Sequence, residues 1–179
     1  ETLTTEFDDI MKNISSIDAR KATATVLEDR DEIFRLIEEG SFGGFDQLND
    51  AVMGAIRAWL VECGEGALIG RGEDIDTARL MNALGRLYES QGRYEEALEH
   101  YHRALAMKRK ALGEEHPDVA TMMYNMAGVY ESQERYEEAA SSFDAAAEIY
   151  VKAHGEDHEE TLDARERAEE MRNMHNKPN

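Results

Sequence analysis

Cysteine, proline and basic residues are all scarce in this chain. The single cysteine, Cys63, excludes an internal disulfide, so the 179 residues must be held by an apolar core and not by covalent staples. With two prolines, long stretches are free of the residue that interrupts helices. Lys and Arg number 20 against 39 Asp and Glu, for a net charge of −19. A phosphate backbone is held by Lys and Arg, so this balance argues against nucleic acid as a partner, and equally against an anionic membrane surface. The deficit is spread along the chain, about −9 over residues 1–70 and about −10 over 71–179, which makes it a solvated surface and not a charged tail. No apolar run approaches the about 20 residues that cross a bilayer, and no signal peptide is visible at the N-terminus. A reducing, cytoplasmic setting follows as the expectation. The chain opens on Glu1, not Met, and reads as a segment of something longer.

What the chain does have is repetition. "LYESQGRYEEAL" at 87–98 returns as "VYESQERYEEAA" at 129–140, 42 positions on. At this offset Leu84 meets Met126, Gly85 meets Ala127 and Tyr88 meets Tyr130, then Tyr94 meets Tyr136, Ala97 meets Ala139, Tyr101 meets Phe143 and Ala104 meets Ala146. The register persists into the connectors, "ALGEEHPD" at 111–118 and "AHGEDHEE" at 153–160. Each copy carries two amphipathic helical patterns. The first spans 76–91 with Leu80, Leu84, Leu87 and Tyr88 on one face, and the second spans 94–111 with Tyr94, Ala97, Leu98, Tyr101, Ala104 and Leu105. Small residues (Gly85, Ala127, Ala97, Ala139) are interleaved with Tyr88 and Tyr101, as expected where two antiparallel helices approach closely. Gly92 suits the tight turn between them; its counterpart Glu134 suggests that the turn does not require a positive φ.

These residues resemble the tetratricopeptide repeat, whose pattern is legible as Gly85, Tyr88, Gly92, Tyr94, Ala97, Tyr101 and Ala104. The usual repeat is about 34 residues long; the 42-residue form with its "LGEEHPDVAT" connector is similar to the repeats of kinesin light chains. The resemblance covers about 75–165 and implies an all-α fold, a right-handed superhelical stack of antiparallel helix pairs. Pro117 opens the second repeat, where a first-turn proline is tolerated. The expected organisation is an N-terminal helical region over 1–70, repeats at 75–116 and 117–158, and a polar capping helix at 159–174, followed by a frayed "HNKPN". Within 1–70, helices are expected over 3–16, 20–39 and 45–63, the last with Leu48, Val52, Ile56, Trp59 and Cys63 on its apolar face. Residues 20–63 read as a degenerate repeat, with "EEGSFGGF" at 38–45 as its looser turn.

No pattern for chemistry stands out. "GEGALIGRG" at 64–72 lacks the preceding strand and the following Lys of a phosphate loop, and reads as a connector. His154 and His158 are four apart, but Gly155 interrupts any shared helix face, so no metal site is expected there. His100 and His102 are both expected at the surface, and Cys63 and Trp59 in the core. Glu99 with Arg103 and Glu148 with Lys152 are at the spacing of helix-surface pairs. The reading is a non-enzyme without cofactor or metal.

The resemblance implies protein binding, with a partner's peptide segment held in a concave groove lined by the first helix of each pair. On those helices the candidates are Arg79, Asn82, Arg86, Tyr124 and Asn125. Asn offers a donor and an acceptor, so it can hold an extended backbone of any sequence, and kinesin light-chain repeats carry Asn at such places to cradle cargo-adaptor peptides. The carboxylate clamp of chaperone-tail binders is disfavoured, because Glu166 and Glu170 would repel a carboxylate. The alternative is a structural domain, forming a homo-oligomer through the N-terminal helices.

Overall fold

The structure, a computed structural model, describes residues 44–177. The regular elements among these residues are six α-helices: α1 (Gly44–Leu68), α2 (Ile75–Ser90), α3 (Tyr94–Leu112), α4 (Pro117–Ser132), α5 (Tyr136–His154) and α6 (Glu159–His175). The helices expected over 3–16 and 20–39 lie outside the described residues, as does the turn expected at 38–45 up to residue 43, its last two residues opening α1. The chain divides into two compact units, 1–63 and 64–179. In the second unit the helices pack in sequence, α2 on α3, α3 on α4, α4 on α5 and α5 on α6, and the first helices of the two repeats, α2 and α4, also touch.

Helix starts follow from side chains that satisfy the free N–H groups of the first turn. Asp74 accepts from Thr77 N at 2.7 Å to open α2. His116 does the same for α4 through Nδ1, accepting from Asp118 N at 3.1 Å, with Pro117 beside it in the first turn. His158 repeats the arrangement at α6, accepting from Glu160 N at 3.4 Å. The second helices, α3 and α5, open on Arg93 and Arg135, which give no side-chain cap. Each Arg instead pairs with a Glu three residues on, Glu96 or Glu138, and lies over a tyrosine ring, Tyr88 at 4.4 Å or Tyr130 at 4.6 Å.

The turn inside each pair corrects one expectation. Gly92 has φ 71° and Glu134 has φ 59°, so the turn demands the left-handed region in both copies, and Glu134 occupies it without glycine's freedom. The Arg93 and Arg135 amides then donate back to Tyr88 O and Tyr130 O, both at 2.9 Å, which closes the helix end and fixes the geometry whatever the residue.

Close approach explains the small residues. A Cβ on Gly85 would lie 2.5 Å from Cε1 of Tyr101, whose ring is fully buried. In the second pair Ala127 and Phe143 fill these places, and with Ala139, Ala140, Ala168 and Met171 they form a core shared by α4, α5 and α6. Lys152 on α5 bonds Glu115 in the preceding connector at 2.7 Å, and the charge of the helix-spaced Glu148 also acts on it; Lys110 on α3 bonds Glu73 at 3.0 Å.

Helix α1 departs most from the sequence reading. It runs through Gly64 to Leu68, so the expected connector at 64–72 is shortened to the few residues before Asp74. Gly64 serves contact and not a turn, because a Cβ there would meet Leu84 Cδ2 at 2.5 Å. Among the described side chains of this helix, Leu60, Val61 and Gly64 are the buried positions. Trp59 is 59 % exposed and Cys63 is exposed, which overturns their expected place in the core. Trp59 and Leu60 stand about 100° apart around the helix, and of the two only Leu60 is buried.

Candidate peptide-binding face

The first helices α2, α4 and α6 present equivalent positions at steps of 42. Arg79, Thr121 and Asp163 form one set, Asn82, Tyr124 and Glu166 a second, Arg86, Gly128 and Glu170 a third. Arg79 is exposed and pairs with Asp76 on its own helix at 3.1 Å. Arg86 is exposed and its charge acts on Glu89 one turn along. Asn82 and Asn125 meet: Asn125 Nδ2 donates to Asn82 Oδ1 at 2.9 Å, linking α2 to α4 through two half-buried amides. Tyr124, also half-buried, donates from its hydroxyl to Asp163 of α6 and packs edge-on against Phe143, with centroids 4.9 Å apart. Burial first, and the Asp163 carboxylate second, push the Tyr124 phenol up to about 12, so it remains a neutral donor.

Asp163, Arg167 and Glu131 were missed by sequence reasoning. Arg167, the third-copy counterpart of Asn125, pairs with Glu131 of α4 and lies 5.4 Å above the Phe143 ring. Carrying the 42-residue overlay one step further, onto the polar helix α6, would have found both Asp163 and Arg167. Behind this face Thr121 shares a hydrogen bond with the Tyr150 hydroxyl at 3.1 Å, and Thr121, Tyr124, Tyr150, Glu160 and Asp163 line a cavity of about 250 Å³.

Two histidine readings change. His102 is exposed as expected, but His100 is buried: its ring stacks on Tyr88 at 5.2 Å and its Nε2 bonds Glu65 at 2.8 Å. Glu65 also accepts from the Tyr88 hydroxyl at 2.7 Å, and burial together with this carboxylate pushes the Tyr88 phenol up to about 12. The continuation of α1 to Leu68 delivers Glu65 to that place, which is why a surface position was expected for His100. His154 and His158 are not kept apart by Gly155. The chain turns there with φ 98°, and the two rings come to 4.5 Å, with Glu160 Oε2 at 2.9 Å from His154 Nδ1 and 3.5 Å from His158 Nδ1.

The sequence profile described as "Tetratricopeptide repeat" matches residues 76–150 and 118–176, together more than half of the chain. The chain belongs to the tetratricopeptide repeat family. Among solved structures it is similar to BtubC (BKLC) from P. vanneervenii, a kinesin light chain-like protein, at 20% identity with a TM-score of 0.54 over 97% of this chain and 72% of that one. At that identity the likeness shows the fold alone. No curated protein matches. Tetratricopeptide repeats mediate protein–protein interaction and form a scaffold that is not typically enzymatic. Among the described residues no helix is long and apolar enough to cross a membrane.

Proposed function

We propose that this tetratricopeptide repeat protein acts as an adaptor or scaffold in the cytoplasm, holding an extended segment of a partner protein in the concave groove along α2, α4 and α6. The observation that carries the reading is the bond between Asn82 and Asn125. It sets two amides side by side on successive first helices, and it uses one N–H and one carbonyl oxygen, so the opposite amide atoms can meet a peptide backbone. Arg79 and Arg86 put positive charge at the α2 end, and Asp163, Glu166 and Glu170 put negative charge at the α6 end. A bound segment with an acidic part over α2 and a basic part over α6 suits that gradient.

The test is to identify a partner by pull-down and titrate it against Asn82→Ala, Arg86→Ala and Asn125→Ala combined. Each lost hydrogen bond is worth about 0.5–1.5 kcal/mol, so affinity should fall by about one to three decades. The two Asn residues are replaced together because removal of one leaves its partner's amide unpaired. Unchanged affinity in a folded variant would move the site elsewhere. The second reading is self-association, favoured by the 59 % exposure of Trp59 and the 84 % exposure of Ile69. It requires a mass by light scattering near a multiple of 20.3 kDa above one.

A further inference from the structure

We infer that the connector between α5 and α6 binds a late first-row divalent metal ion, with Zn²⁺ as its test ion, through His154, His158 and Glu160. Two imidazoles and one carboxylate each offer one ligand atom, and these atoms lie within 4.8 Å of one another. A tetrahedral ion with bonds of about 2.1 Å spaces its ligands by about 3.4 Å, so side-chain adjustment of about 1.4 Å at most completes the set, and water fills the remaining position. Imidazole nitrogen selects Zn²⁺, Ni²⁺ or Cu²⁺ over Mg²⁺ and Ca²⁺, which prefer oxygen alone.

The internal repeat shows that this set is not merely connector geometry. At the equivalent places the first connector has Leu112, His116 and Asp118. His116 caps its helix as His158 does, so capping accounts for one imidazole and not for His154, whose ring stacks on Tyr150 and whose Nδ1 lies 2.9 Å from Glu160 Oε2. A leucine serves at the His154 place in the same turn, which closes on Gly113 with φ 91° as the second closes on Gly155 with φ 98°. The electrostatics also favour a cation. The C-terminal end of α5 attracts one, the N-terminal end of α6 opposes it, and Glu156, Asp157, Glu159 and Glu160 tip the balance toward positive charge.

The test titrates ZnCl₂ into the full, tag-free chain by calorimetry. One event near 1:1 is expected, weakened at least about tenfold in His154→Leu, which installs the first connector's residue, and similarly in Glu160→Gln and His158→Asn, the last keeping a capping side chain. His116→Asn should bind as the unaltered chain does. In the unaltered chain Zn²⁺ should raise the melting temperature, and in His154→Leu it should not. Circular dichroism confirms that each variant is folded. Absence of Zn²⁺ binding, equal binding by His154→Leu, or MgCl₂ binding as tightly as ZnCl₂ would each overturn the inference, the last by showing that carboxylates alone attract the ion.

Discussion

Gly85→Ala sets two known effects against each other at one atom. In an open helix the change would stabilise by about 0.8–1.0 kcal/mol through backbone propensity. Here the new Cβ would stand 2.5 Å from Cε1, 2.7 Å from Cδ1 and 3.0 Å from Cζ of Tyr101. That ring has nowhere to retreat: it is fully buried and its hydroxyl is held by Glu89 at 2.9 Å. Overpacking of this kind costs about 1–3 kcal/mol, so after the propensity gain the net loss should be about 0–2 kcal/mol. For a chain of this size the melting temperature should fall by up to about 8 °C, read by circular dichroism or calorimetry. The mirror substitution in the second repeat, Ala127→Gly, should also destabilise, by about 1–2 kcal/mol, through lost propensity and a lost buried methyl. Helix propensity alone predicts opposite signs for the two variants, whereas packing predicts the same sign. A rise in melting temperature for Gly85→Ala would refute the argument that Tyr101 sets the distance between α2 and α3.

Glu134→Gly should raise stability by about 1 kcal/mol, because a left-handed residue with a Cβ costs about 1–2 kcal/mol and Gly92 shows that glycine fits the same turn; a lower melting temperature would mean that the Glu134 side chain contributes more than its strain. Glu89 has its carboxyl raised, first by burial and against the counter-effect of the Tyr101 bond, so its contribution is intact below about pH 4.5 and lost as pH rises through the folded-state value. Glu89→Gln should therefore be the more stable protein at pH 7, with the gap closing toward pH 4; a gap independent of pH would sink this reading. Ala97→Leu, at a fully buried position, should destabilise by about 1–3 kcal/mol in a urea titration, and a neutral result would place Ala97 outside the α2–α3 contact.

The helix pairs were legible because repetition doubles the signal. Tyr88, Tyr101, Gly85 and Ala97 are informative twice over, once by helical spacing and once by recurrence 42 residues on. Outside the repeats that second signal is gone. In α1 the stripe through Trp59 and Cys63 looks as apolar as the stripe through Leu60 and Val61, and only the meeting of Gly64 with Leu84 decides between them. His100 shows a further limit: its burial depends on Glu65, 35 residues earlier and on another helix, a pairing that no local pattern announces. On the candidate face, spacing placed Asn82 and Asn125 on first helices, but their contact needed the stacking distance between α2 and α4. The strained Glu134 was misread for a related reason. A departure from glycine at a repeated turn was taken as relaxation of the rule, whereas the flanking hydrogen bonds impose the conformation.

The two lysine clasps, Lys110 with Glu73 and Lys152 with Glu115, are one bond drawn twice, since both donor and acceptor advance by 42 residues. As exposed ion pairs they add little free energy, but they define how units join: a donor on one second helix reaches an acceptor ahead of the first helix of its own pair. Such a contact is head-to-tail and does not close on itself, so it sets no fixed number of units. In genetic terms the smallest exchangeable piece is therefore a 42-residue cassette, and its reading phase is immaterial. A cut at any point, repeated 42 residues later, carries one complete clasp across the two junctions. Duplication or loss of such a piece changes the length of the helix stack while every clasp keeps its partner, whereas bonds peculiar to one junction, such as Asn125 with Asn82 and Arg167 with Glu131, are not reproduced.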